Sequence, residues 1–282
     1  MAAFEGTFAR LLSFCSLMTS TGFADTALKS ASRFWVVVAV AGQLIFASYV
    51  AILYGRGAIR GDWTALNTVM PHGYVPGDTA GNFAVVLHLL SALVILVGGA
   101  IQLTPLIRSR APGLHRWNGR LYMVNAVAIS LGGLYMVWTR GTVGGLSQHL
   151  SISLNAVLVI ACAAMAWRHA IARQFGAHRR WALRLFLVAS GVWLFRVGLM
   201  LWLLIHRRPV GFDPHTFQGP FLTFLGFGQY VLPLAVFELY LRAQAGGSAP
   251  QRVAMAVGLM VLTLAMGAGI FAATMGMWLP RL

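Results

Sequence analysis

The chain has 282 residues, 59% of them hydrophobic and only 10% charged, and its mean hydropathy is +0.75. Soluble domains carry about 25% charged residues, so this composition excludes a soluble globular protein and indicates a polytopic membrane protein in contact with the lipid bilayer. A formal charge of +15 would suit nucleic acid, but the arginines stand in short loops between apolar runs, the pattern of membrane topology.

Residues 1–34 are mixed. Phe8, Leu11, Leu12 and Cys15 fall at helical spacing, which predicts a short amphipathic helix in the membrane plane. A cleaved signal peptide is not expected. The first clean apolar run begins only at Trp35, after Lys29 and Arg33, and no small-residue cleavage site follows it. The two cysteines, Cys15 and Cys162, form no disulfide framework or CxxC site and read as packing residues.

From residue 35 to 279 the chain reads as one integral membrane domain, all-α, with about seven transmembrane helices. The runs are 35–54, 83–106, 117–138, 150–171, 181–205, 221–241 and 253–279. Each approaches or exceeds the roughly 20 residues that a hydrocarbon core requires. The second to fifth runs, about 83–205, form an expected four-helix core. Fourteen lysines and arginines fall on one side of these runs and six on the other, with Arg196 inside the fifth. The arginine-rich side is therefore expected to be cytoplasmic, in the inner membrane of a cell, with the N-terminus inside and the C-terminus outside. The longer loops, 55–82 and 206–220, carry His72, His206 and His215. They read chiefly as solvated loop, with a shared donor, acceptor or metal site as the sharper reading. The stretch 245–250 is a turn.

Four histidines stand at alternating faces of the core. His88 lies one or two turns into the second run and His149 at the start of the fourth, both on the outer side. His115 and His178 open the third and fifth runs on the inner side. In a four-helix ring taken in sequence order, second and fourth helices are diagonal, as are third and fifth. Diagonal imidazoles can clamp a flat macrocycle from both faces. The expectation is two b-type haems, one held by His88 and His149 and one by His115 and His178, with the two levels roughly 20–25 Å apart. The stripes below these histidines are rich in small residues, which leaves room for a prosthetic group or simply lets helices approach closely.

Arg196 lies five helical turns beyond His178 and shares its face. An arginine inside the bilayer is costly unless paired. A haem propionate would supply the anion, and Asp78 or Asp213 could fold in instead. Glu238 is placed to snorkel or to pair with Arg242. Arg116, Arg120 and Arg179 stand where the positive-inside rule puts arginines, and they are also candidates to bind haem propionates, an anionic donor or lipid headgroups.

Two resemblances follow from these residues. The stretch from about 83 to 200 resembles a prokaryotic membrane family, domain of unknown function 2306. The carriers are Gln102 with Pro105 and Arg108, His115-Arg116 with Gly119-Arg120 and Tyr122, and His178-Arg179-Arg180-Trp181 with Arg184. More loosely, the arrangement is similar to the cytochrome b-561 and ferric-reductase group, whose two haems are held by four consecutive helices. That likeness implies the same two histidine couples. It also implies transmembrane electron transfer from a quinol, ascorbate-like or flavin donor. Here three of the four histidines lie at helix ends, and the first, sixth and seventh runs have no counterpart in that group. Two rival readings stand beside it. One is a haem-free transporter or assembly scaffold, marked by broken helices around a midplane site. The other is a metal-dependent membrane hydrolase, ranked low because the seventh run contains no histidine or acid.

Overall fold

A computed structural model describes residues 2–70 and 72–282, with side chains described from residue 20 onward. Described residues are almost wholly helical. The helices are α1 (Ala2–Arg60), α2 (Thr79–Leu103), the short α3 (Pro105–Arg110), α4 (Pro112–Thr139), α5 (Gly145–Ile171), α6 (Phe175–Ala189), α7 (Gly191–His206), α8 (Pro220–Gly246) and α9 (Ala249–Ala273). A short 3-10 helix at Trp63–Thr68, a π-turn at Thr274–Trp278 and a 3-10 turn at Leu279–Arg281 complete the set. Among the described residues, six helices are long and apolar enough to cross a membrane. α6 and α7, bent by 52° at their junction, pass the same test together and make a seventh if the pair counts as one span. The all-α polytopic architecture is therefore as the sequence predicts.

The predicted helix starts are mostly too late. α1 is one continuous helix rather than a surface helix followed by a span from residue 35. The predicted amphipathic face of Phe8, Leu11, Leu12 and Cys15 lies outside the described side chains. From Ser20 to Arg60 the helix is about 60 Å long at 1.5 Å per residue, twice the ~30 Å hydrocarbon thickness. Its early part is tied down by an ion pair between Asp25 and Arg252 on α9. α2 starts at Thr79, with Asp78 capping Gly81 N–H. α9 begins with a capping box formed by Ser248 and Gln251. Pro233 sits inside α8 without ending it.

The break at Ser190–Gly191 has a local cause. Ser–Gly pairs are common kink points because a serine hydroxyl competes for the helix carbonyls and glycine adds no packing. Ser190 Oγ donates to Phe186 O at 2.7 Å and accepts from the amide of Gln43 on α1 at 2.8 Å. Beside Gly191 lie Asn155 of α5 and Gln229 of α8, both buried.

The predicted four-helix core is present. α2 packs on α4, α4 on α5 and α5 on α6, and Gly99 of α2 meets Phe186 of α6 to close the ring. Its middle is filled by Ile95, Tyr122, Ala126, Val159, Cys162, Leu185 and Val188, joined by Tyr230 of α8. Buried Cys162 is a packing residue, as read from its context. α1, α7 and α9 form a second layer around Phe46, Tyr49, Trp193, Met266 and Trp278.

Candidate functional site

The arginine-rich end is built by the starts of α4 and α6. Pro112 opens α4, where its missing N–H costs nothing, and His115 follows in the first turn. Gln102 of α2 donates to His115 O at 2.8 Å. The His115 Nδ1 atom is buried and has no hydrogen-bond partner. His178 lies in the first turn of α6, and its Nδ1 contacts Ala166 O of α5 at 2.9 Å. A ring nitrogen facing a carbonyl must carry the proton, so neutral His178 keeps its lone pair on Nε2. That tautomer is the one a metal-binding histidine with an outer-shell carbonyl adopts. The two rings are close enough for His115 to feel the charge of His178. Both histidines thus stand in the first turn of their helices at the same end of the bundle.

Around them Arg116, Arg120, Arg179 and Arg180 are exposed. Arg120 lies over the Trp117 ring at 5.3 Å. Nearby Arg184 pairs with Glu238 at 2.7 Å and also covers Trp181. Glu238 is therefore the partner of Arg184, not of Arg242 as the sequence suggested. The helical spacing from 238 to 242 made the local pair plausible, but α6 runs alongside α8 and supplies a nearer guanidinium.

At the opposite end His88 and His149 repeat the same pattern of nitrogens. His149 Nδ1 contacts Gly145 O at 2.7 Å. His88 Nδ1 is buried without a partner, while the same ring hydrogen-bonds the Ile129 backbone of α4. These two rings, however, flank α4. His88 faces Gly133, with its Cε1 3.5 Å from where a Cβ would stand there. His149 packs edge-on against Trp138, 5.7 Å between centroids. Positions 133 and 138 point roughly 140° apart around a helix. His88 and His149 thus pack against positions of α4 that point different ways.

The small-residue stripes serve close helix packing. α2 and α4 are joined by rungs in which a side-chain amide of one helix donates to a backbone carbonyl of the other. Gln102 reaches His115 O, Asn118 reaches Gly98 O at 2.9 Å, and Asn125 reaches Ser91 O at 2.8 Å. Gly98 faces Asn118 and Tyr122, and Gly119 faces Gln102. These rungs escaped the sequence reading. The amides were visible, but their acceptors depend on the register of two helices.

Arg196 has neither of the aspartates proposed for it. Asp78 binds Arg140, and Asp213 bonds the N–H of His215 and the hydroxyl of Thr216 within its own turn. Among the described residues no carboxylate lies against Arg196. Its Nη1 donates to Val192 O at 3.0 Å, and the guanidinium lies 5.5 Å from the Phe46 ring centre on α1. Tyr49, Tyr54 and His88 are within its electrostatic reach.

The loop histidines lie apart in role. His72 O accepts from Arg140. His206 packs over Trp202, with ring centres 3.9 Å apart. His215 belongs to the Asp213 turn. Among the described residues no three His, Cys, Asp or Glu side chains converge as a metal-ion site.

Residues 85–214 match the profile of a family described as predicted membrane protein, DUF2306. The matched stretch carries all four core histidines, the α2–α4 rungs and the broken span. No curated protein and no solved structure matches the chain. The likeness to the cytochrome b-561 group thus has no counterpart in these comparisons.

Proposed function

We propose that the chain carries electrons across a membrane on b-type haem. His115 and His178 would hold one haem at the arginine-rich end, and His88 with His149 would hold another at the other end. One observation carries the reading. In each couple one imidazole is anchored through Nδ1 on a backbone carbonyl; its partner His115 has a buried Nδ1 with no hydrogen bond, as does His88, whose ring also bonds the Ile129 backbone. An anchored ring presents a free Nε2, and an orphaned buried nitrogen is costly unless something binds it. Support is stronger for the His115–His178 couple, because His88 and His149 lean on different sides of α4.

Haem, when bound, would supply a one-electron couple. The protein contributes the rest. Arg116, Arg120 and Arg179 ring the first couple and favour the charge of propionates. The apolar layer of Ile95, Tyr122, Val159 and Leu185 excludes water between the two levels. The arginine-rich end faces the cytoplasm of a cell bounded by an inner membrane, on the bias of fourteen basic residues to six. The donor is of quinol or ascorbate type.

The test is the pigment of the purified chain. Two haems per chain, halved by either His88→Ala or His115→Ala, support both sites. One haem removed by His115→Ala alone confines the reading to the arginine-rich end. A colourless protein that takes up no added haem ends it.

A second reading, a haem-free transporter, is favoured by the broken span. A bend of 52° at Ser190–Gly191 sits among the buried amides of Gln43, Asn155 and Gln229, each with a carbonyl oxygen that lacks a donor. Broken helices with polar groups near the midplane are how transporters build substrate sites. Substrate-dependent flux through liposomes containing colourless protein would establish it.

A further inference from the structure

Where α8 stops and α9 starts, three helices line a polar cavity of about 180 Å³. Asp25, Leu28 and Lys29 come from α1, Tyr240 and Gln244 from the last turns of α8, and Arg252 from the first turn of α9. Leu28 is buried in an apolar cluster with Ala243 and Ala256, which fixes the three helices against one another.

The donors of this cavity are only partly used. Arg252 Nη1 pairs with Asp25, and its Nε donates to Ala243 O at 3.3 Å. Arg252 Nη2 and the Lys29 ammonium have no partner among the described residues. Gln244 Nε2 donates to the Tyr240 hydroxyl at 3.3 Å, so the hydroxyl proton is free to serve another acceptor. Asp25 and Arg252 cancel, and the lining is left with the single positive charge of Lys29. The ligand that balances it carries one negative charge and several acceptor oxygens. A phosphodiester has both, and charged donors bind such oxygens strongly. The volume equals the liquid share of roughly six waters, which leaves room for a substituent beyond the phosphate.

The position in the chain selects the source of that phosphate. On α1 the run from Phe34 to Gly55 has no charged residue. It is about 33 Å long, which matches a hydrocarbon core of ~30 Å. Asp25 and Lys29 lie just beyond it. Arg252 likewise precedes the uncharged stretch of α9, and all three helices are candidate membrane spans. Further along α8 and α9 from the cavity, Leu239 and Val257 are exposed and offer apolar surface to acyl chains.

We infer that this cavity binds the headgroup of an anionic phospholipid, with its phosphate against Lys29, Arg252 Nη2 and the Tyr240 hydroxyl. Asp25 and Gln244 bring oxygens that accept from headgroup hydroxyls, such as those of a glycerol head. The site shares no residue with the four histidines, and its occupancy is independent of haem.

The test uses the full chain in phosphatidylcholine nanodiscs with a photoreactive phosphatidylglycerol. Labelling is expected on peptides covering residues 25–32, 236–247 and 249–257. Lys29→Gln leaves the Asp25–Arg252 pair in place and removes one charged donor, so this labelling should weaken at least about tenfold. Lys29→Arg should retain it. Arg242→Gln, an exposed change at the same end but outside the cavity lining, should leave it unchanged. Unlabelled phosphatidylglycerol should displace the label, and added phosphatidylcholine should not. Labelling elsewhere, labelling indifferent to Lys29→Gln in protein that still melts cooperatively, or an equal loss in Arg242→Gln overturns the inference. Equal displacement by phosphatidylcholine overturns the preference for an anionic head. Displacement by millimolar glycerol phosphate assigns the cavity to a soluble phosphate and overturns the lipid. Haem content read on the same samples judges the electron-transfer reading separately.

Discussion

Arg140 holds four groups at once: the carbonyls of His72 and Gly73, the Asp78 carboxylate and the Asn82 amide oxygen. Its side chain is only 8% exposed, so one guanidinium fastens the loop before α2 to the end of α4. The Arg140 hydrogen bond, aided by the Gly81 N–H, holds the Asp78 carboxyl below the usual carboxylate range. A depressed carboxylate stabilises the fold fully above its unfolded pKa, near 3.9, and that contribution is lost as pH falls through the folded value. The 61–78 loop should therefore resist pepsin down to about pH 4 and become cleavable below it. Asp78→Asn should expose Trp63 and Tyr74 to chymotrypsin at neutral pH. Arg140 read from the sequence as a plain outer-loop charge, because two of its acceptors are backbone carbonyls and the other two, Asp78 and Asn82, lie about sixty residues away in the chain.

At the scale of helices, spans were legible and their joints were not. Apolar length revealed the six to seven candidate spans, since the bilayer demands about 20 residues of any sequence. The break at Ser190–Gly191 falls inside an apolar run, where hydropathy is blind to it. The stripes of glycine and alanine were readable, but they fit two outcomes and the structure uses them for contact. Each α2–α4 rung should contribute modestly, so Asn125→Ala is expected to lower stability by about 0.5–1.5 kcal/mol in detergent unfolding. A larger loss belongs to Gly269 on α9. A Cβ there would stand 2.6 Å from the Val197 carbonyl oxygen of α7. Backbone does not yield as a side-chain tip does, so Gly269→Ala should cost about 1–3 kcal/mol, measured in the same way. For the histidines, the helix and end that carry each could be read, whereas what each ring packs against depends on how neighbouring helices are rotated.

For the molecule as a whole, charge is segregated. The described carboxylates are all engaged: Asp25 with Arg252, Asp78 with Arg140, Glu238 with Arg184, and Asp62 and Asp213 in capping turns. The exposed arginines around His115 and His178 are left without acids among the described residues. Such an end should remain on the cytoplasmic face during insertion. A cysteine replacing Arg173 should thus react with a membrane-impermeant maleimide only in inverted vesicles, and one replacing Arg208 only in intact cells. The reverse pattern would invert the proposed direction across the membrane.

The α2–α4 rungs carry a consequence for how such chains tolerate insertions and deletions. Their acceptors are main-chain oxygens, so alignment of the two helices depends on spacing along each one. An extra residue in the connection from Thr104 to Ala111 leaves every rung intact. The same residue added between Ser91 and Gly98 turns half of α2 by about 100° and parts one rung from the others. Length variation among related chains should therefore gather in that short surface link and spare the helices on either side.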